Sequence, residues 1–287
     1  MLETLNLRHK TFKSLKHYLL RGIVYSILIA LSVIFMLPFL WMVLTSIKGS
    51  DAIIAGSFFP KKIEFENFKL VWKVLPLGTF FKNTCIITAF CILGQALSAS
   101  LVAFGFARIK FKGNRILFLL LISTMMIPGQ VTMIPTFALF NTIGWINTFL
   151  PLIVPAFFGG GAFFIFLLRQ FFMTIPKELD EAAIIDGCTT FGIYRRILLP
   201  LSKPALTTVV VFSFIFNWND FLYPLVFLQT QDKYTIAVGL QFFKDVYASR
   251  WNLLMAASVI ALLPVLTVFF SAQKYFVEGI VTTGLKE

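Results

Sequence analysis

Four stretches of this chain, residues 22–47, 83–107, 116–168 and 251–273, contain no charged side chain, and a fifth, 204–231, contains only Asp220. An α-helix needs about 20 apolar residues to cross a hydrocarbon core of about 30 Å. The gaps between charges therefore place the chain in a bilayer before any other property is consulted. The interval 116–168 holds two helices joined by a turn near Asn141–Asn147, which brings the expected total to six. Composition agrees, with 58% of the 287 residues hydrophobic and only 13% charged, where a soluble domain carries roughly a quarter. The fold class expected is an all-α integral membrane protein with spans at 22–47, 83–107, 116–140, 148–173, 204–229 and 251–273. Outer loops then fall at 48–82 and 230–250, a cytoplasmic element at 174–203, and cytoplasmic tails at 1–21 and 274–287. The first apolar run is too long for a signal-peptide core and lacks a small-residue cleavage site, so it is expected to stay attached.

The formal net charge of +12 raises the question of nucleic acid. The basic residues are instead sorted by membrane side. Arg8, Lys10, Lys13, Lys16, Arg21, Arg108, Lys110, Lys112, Arg115, Arg169, Lys177, Arg195, Arg196, Lys203, Lys274 and Lys286 fall on one side, leaving nine Lys or Arg on the other. There they mix with Asp51, Glu64, Glu66, Asp232 and Asp245. The positive-inside rule then puts both termini in the cytoplasm, and no nucleic-acid partner is expected. Cys85, Cys91 and Cys188 show no paired spacing, so neither a disulfide nor a zinc site is implied. Both histidines, His9 and His17, lie in the basic tail, which excludes His-based chemistry within the membrane.

The second span carries Gly94, Ser98, Ser100, Ala103 and Gly105, small residues that let helices approach closely in lipid, and is expected to be central. In the third, Pro128 and Gly129, followed by Gln130 and Pro135, would free backbone carbonyls at membrane depth. That serves either a packing kink or the lining of a cavity. Gly159, Gly160 and Gly161 in the fourth read first as a close-packing or bending site, with substrate contact as the alternative.

About thirty residues, 174–203, separate the fourth and fifth spans, and a connection of that length should have a task. Pro176 suits a first helical turn, Glu178, Asp180 and Glu181 suit a helix N-terminus, and Leu179, Ala182 and Ala183 share a face. Gly187 is placed to end that helix with a left-handed backbone. Thr189 or Thr190 can cap a second helix through Tyr194 and Ile197, and Pro200 and Pro204 precede the fifth span. The expectation is a helix, a turn and a helix on the cytoplasmic face.

These residues carry a resemblance. Glu181-Ala182-Ala183, Asp186-Gly187, then Ile197-Leu198-Leu199-Pro200-Leu201 with Pro204 beyond resembles the EAA signature of permease subunits of binding-protein-dependent ABC importers. Asn217-Trp218-Asn219-Asp220-Phe221-Leu222-Tyr223-Pro224-Leu225, and Pro128 with Pro135, are similar to the carbohydrate branch of that family. Cys188 departs from the small residue usual after the Gly. The resemblance covers essentially the whole chain, with a permease core at 83–278, and looks like the shorter permease of maltose-type systems. It implies a prokaryotic cytoplasmic membrane, a second permease subunit, two ATP-binding subunits and an extracytoplasmic solute-binding protein reached by the loop 230–250. It also implies that Glu181, Ala182, Ala183, Asp186, Gly187, Ile197, Leu199 and Pro200 contact an ATPase subunit. The chain has no G-x-x-x-x-G-K-[ST] run, so ATP hydrolysis is assigned to partners, and no cofactor is expected here beyond contact with membrane lipid.

Asp220 is the only carboxylate in any span. If the fifth helix begins at Pro204, sixteen residues at about 1.5 Å each put Asp220 roughly 24 Å along it, near the outer edge. With Asn217, Trp218, Asn219 and, in the third span, Gln130, it forms the candidate pathway or outer mouth. Asp220 is either a structural cap or a sugar contact, and Trp218 and Tyr223 either stack on a sugar or anchor the interface. Three rival readings are an ABC permease for another solute such as a polyamine, an ion-coupled secondary transporter, and a membrane hydrolase. The second lacks charges near midplane, and the third lacks an intramembrane His or acid pair.

Overall fold

The computed structural model describes the backbone of residues 2–50, 53, 56–60, 62–246 and 250–284, and the side chains of these apart from 2–16, 245, 246 and 274–284. Asp51 and Lys286, and the side chains of Arg8, His9, Lys10, Lys13, Lys16, Asp245 and Lys274, lie outside the described residues. Regular structure among the described residues is helical throughout. Among the described residues, four helices are long and apolar enough to cross a membrane, or up to six if each of two bent pairs counts as one span.

The chain forms two compact units, residues 1–71 with 249–259 and residues 72–248 with 260–287. In the first, α1 (Leu2–Ser46) runs tail and apolar stretch together as one helix of 45 residues with Pro38 inside it. Its face from Tyr18 to Leu40 is exposed, as suits a helix solvated by lipid or by another subunit. The chain turns after α1, and the freed carbonyls are met by amides: Asn67 Nδ2 donates to Ser46 O and Lys48 O, both at 2.9 Å, and Asn252 Nδ2 donates to Asn67 Oδ1 at 3.1 Å. Asn67 lies in the first turn of α2 (Glu66–Val74).

The second unit is built around α3 (Leu77–Arg108), 32 residues without proline. Lipid gives no hydrophobic drive between helices, so close van der Waals contact and interhelical hydrogen bonds hold such a bundle. The small residues of α3 serve this. A Cβ on Gly94 would lie 2.7 Å from Phe157, and Ala99 and Ala103 are fully buried. Gly105 is the exception, with no neighbour that a Cβ would meet.

The expected third span is not one kinked helix. It divides into α4 (Asn114–Thr124) and α5 (Gly129–Thr142), bent by 95°. Pro128, extended at ψ 132°, disfavours the α conformation before it and cannot donate, so the break falls there. The turn at Asn141–Asn147 lies where the sequence placed it, with Gly144 and Asn147 at positive φ. Asn147 ties it down: its Oδ1 accepts from Gln229 N at 3.1 Å and from Thr230 N and Oγ1 at 3.2 and 3.1 Å, and its carbonyl accepts from Lys233 Nζ.

The fourth stretch is also interrupted. α6 (Leu150–Ile153) and a 3-10 turn at Val154–Phe157 precede Gly159, Gly160 and Gly161, all at positive φ, before α7 (Ala162–Thr174). A Cβ on Gly160 would lie 2.7 Å from Gln95 O and 2.9 Å from Ser98 Oγ and from Ala99 Cβ, so α3 dictates the glycine. Ser98 Oγ reaches Ala156 O at 2.8 Å and Cys91 Sγ reaches Leu152 O at 3.2 Å, serving carbonyls that the interruption releases.

The remaining elements are α8 (Glu178–Ile185), α9 (Thr190–Ile193), a π-helical turn Tyr194–Leu198, α10 (Leu199–Leu201), α11 (Lys203–Trp218), α12 (Leu222–Phe227), a 3-10 turn Gln231–Lys233, α13 (Ile236–Val246) and α14 (Trp251–Gly284). The stretch 204–229 is thus broken after Trp218 rather than continuous.

Candidate functional site

A cavity of about 550 Å³ opens in the second unit between α3, α5, the interrupted segment at Pro151–Gly161, the end of α11 and α12. Gln95, from the middle of α3, supplies its polar centre. Its Oε1 accepts from Ser213 Oγ and, at 3.3 Å, from Asn217 Nδ2, which also donates to Ser213 O at 2.7 Å. Ser213 and Asn217 are one turn apart on α11, so a single amide on α3 gathers both. Asp220 lines the same cavity, and its Oδ1 accepts from Tyr223 N at 3.3 Å. Because α11 stops at Trp218, Asp220 can reach the first turn of α12, where a carboxylate complements free backbone N–H groups. The Tyr223 hydroxyl reaches toward α5, and a Cβ on Gly129 would lie 2.6 Å from it. Phe140, Phe216 and Phe227 supply apolar faces beside these polar groups. Hydroxyl-rich rings call for that chemistry, amide and carboxylate partners with aromatic faces between them.

Of the five pathway candidates, the structure brings Asn217 and Asp220 to this cavity and not the other three. Gln130 is exposed at the start of α5. Trp218 is buried and donates Nε1 to Ala261 O at 3.1 Å, the role of an anchor between α11 and α14. Asn219 is exposed and turns back to Ile215 O at 2.8 Å. Sequence reasoning passed over Gln95, although an amide amid the uncharged run 83–107 was a visible signal.

The second candidate site is the connecting element Glu178–Leu201. Gly187 has φ +77°, and α8 ends as a Schellman turn, with Cys188 N donating to Ala183 O at 2.8 Å and Gly187 N to Ile184 O at 3.0 Å. Thr189 caps the next helix, its Oγ1 accepting from Gly192 N at 3.1 Å. Leu179, Ala182 and Ala183 lie on one helix, but only Ala183 is buried within this chain, while Leu179 and Ala182 are exposed. The side of α8 turned toward the rest of the chain carries Asp180 and Ala183, and Asp180 has an ion partner there, Arg108, with Nε 3.1 Å from Oδ2. Outward lie Glu181, Asp186 and large apolar residues: Ile184 is 61% exposed, Ile185 86% and Phe191 61%. Ile197 and Leu199 are half-buried and Pro200 is exposed. Among the described residues no cluster of His, Cys, Asp and Glu suited to a metal ion occurs.

The chain is similar along most of its length to known permeases. It is 34% identical over 87% of its length to the arabinooligosaccharides transport system permease protein AraQ of Halalkalibacterium halodurans, covering 90% of that protein. It is 36% identical over 87% of its length to the melibiose/raffinose/stachyose import permease protein MelC of Bacillus subtilis, covering 91% of it. Among solved structures, a chain of a bacterial ABC transporter involved in the import of the acidic polysaccharide alginate superposes with a TM-score of 0.79 at 25% identity, over 89% of this chain and 96% of that one. Residues 96–281, from Gln95's neighbour on α3 through the connecting element and into α14, match the family described as the binding-protein-dependent transport system inner membrane component, and the chain belongs to that family.

Proposed function

We propose that the chain is one of two permease subunits forming the pore of an ATP-driven importer of oligosaccharides in the cytoplasmic membrane. Each bent pair counts as one span, giving six, with both termini and the element Glu178–Leu201 in the cytoplasm. The observation that carries the reading is the cavity, where Gln95, Asn217 and Asp220 stand beside Phe140, Phe216 and Phe227. The names of the relatives, which are permeases for arabinooligosaccharides and for melibiose, raffinose and stachyose, support the substrate class.

The energy source is a separate ATPase subunit. Leu179, Ile184, Ile185 and Phe191 form an exposed apolar surface on an element bearing Glu181 and Asp186, and a membrane-external patch of that kind is suited to a protein partner. A solute-binding protein delivers the sugar on the opposite side, in keeping with the family's description. Transport itself requires no chemistry of this chain. The test is to purify the tagged chain from its native membrane and identify its companions. A second permease, two ATPase subunits and sugar-stimulated ATP hydrolysis are expected. A chain recovered without any ATPase would contradict the reading.

A further inference from the structure

We propose that Arg108 is the positioning residue that fastens α8 to α3, so that motion imposed on α8 by an ATPase subunit reaches the cavity through α3. This rests on the reading of the chain as an ATPase-coupled permease. Chain connectivity alone would favour α7, which precedes α8, or α11, which follows the element. Yet α3, remote in sequence, holds both halves of it. Arg108 Nε lies 3.1 Å from Asp180 Oδ2, and Arg108 Nη2 donates to Ile175 O at 2.7 Å, just before α8 begins. Two turns along α3, Ser100 Oγ and Tyr194 Oη share a buried hydrogen bond of 2.7 Å, which holds the second half.

The joint is stiff for a physical reason. The Arg108 and Asp180 side chains are 5% and 15% exposed, and Asp180 Oδ1, Arg108 Nη1 and Arg108 Nε are buried with no hydrogen-bond partner, so the ion pair is what compensates the two charges. If α8 slipped relative to α3, two charges would part where water could not replace either partner, so the two helices move together. Each charge also suits its own helix, Arg108 in the last turn of α3 and Asp180 in the first turn of α8. Farther along α3, thirteen residues or roughly 20 Å from Arg108, Gln95 holds Ser213 and Asn217 in the cavity wall. A displacement entering at Arg108 therefore acts on that hydrogen-bonded group.

The experiment uses the whole importer, with its partner permease, ATPase subunits and binding protein, in proteoliposomes, and reads sugar taken up per ATP hydrolysed. Asp180→Asn keeps the volume and removes the charge, Asp180→Glu keeps the charge, and Arg108→Gln removes the other partner. Asp180→Asn and Arg108→Gln are expected to assemble and hydrolyse ATP while uptake per ATP falls about tenfold or more. Asp180→Glu should stay close to the unaltered protein. An unchanged ratio in Asp180→Asn overturns the proposal, as does an equal loss in Asp180→Glu. If the neutral variants fail to assemble while Asp180→Glu assembles, the pair serves folding rather than coupling, and the proposal is equally overturned. An unaltered complex whose uptake does not depend on ATP hydrolysis would instead sink the permease reading itself.

Discussion

Asp220 does two things with one carboxylate: Oδ1 accepts from Tyr223 N at the start of α12, and the group faces the cavity. The cap and the sugar contact, alternatives in the sequence, are compatible in space. Asn retains the acceptor, so Asp220→Asn should lower uptake by less than about threefold. Asp220→Leu removes it and should lower uptake by about tenfold or more, with assembly preserved as the control. Normal uptake by the Leu variant would remove both roles. Trp218 makes the opposite case, since Asn217 before it lines the cavity and it does not. Trp218→Phe deletes the bond to Ala261 O, worth about 1 kcal/mol, and should lower the thermal midpoint in detergent while leaving the sugar preference intact. A changed sugar preference would return Trp218 to the pathway. The sequence placed Asn217 and Asp220 within one motif, but the spacing of residues in a motif says nothing about which face is turned inward once the helix breaks. The break after Trp218 leaves Asn217 and Asp220 on the cavity while Trp218 and Asn219 turn away from it.

The elements show where physical rules read from sequence suffice. Gly187, Thr189 and the acidic first turn each specify a local structure, and the Schellman turn and cap follow from them. Gly187→Val asks a β-branched residue to hold φ +77°, which costs about 1 kcal/mol or more. The variant should insert and bind its partner permease yet lose the ATPase subunit on copurification, and Glu181→Lys should do the same by reversing charge on the exposed face. Retention of the ATPase with normal uptake in Gly187→Val would falsify the docking role. Gly160 obeys a different constraint, since α3 leaves no room for a Cβ. Gly160→Ala should destabilise the fold by roughly 1–3 kcal/mol, seen as a lower thermal midpoint. The extent of the breaks was not legible. Proline and glycine mark where a helix can end, while the 95° between α4 and α5 depends on what the next segment packs against. The inward face of α8 was missed for a like reason: Asp180 reads as a helix-start charge until Arg108, 72 positions earlier, is brought beside it.

For the molecule as a whole, the positions of missing charges sufficed to read an all-helical membrane protein, because lipid leaves few ways to satisfy a backbone. Orientation rests on the count of Lys and Arg, and it is open to a simple check. Single cysteines at Lys112 and Arg196 should react with an impermeant thiol reagent only from the cytoplasm, and those at Lys62 and Lys233 only from outside; the reverse pattern would invert the topology. The central claim is that this chain passes an oligosaccharide through a pore driven by another subunit's ATP. Its most direct measurement is uptake of labelled oligosaccharides into proteoliposomes holding the complete importer, with binding protein outside and ATP inside. Accumulation against a gradient is expected, requiring both ATP and the binding protein and dropping by about tenfold or more in Asp220→Leu. Uptake that proceeds without ATP, driven by an ion gradient, would contradict it.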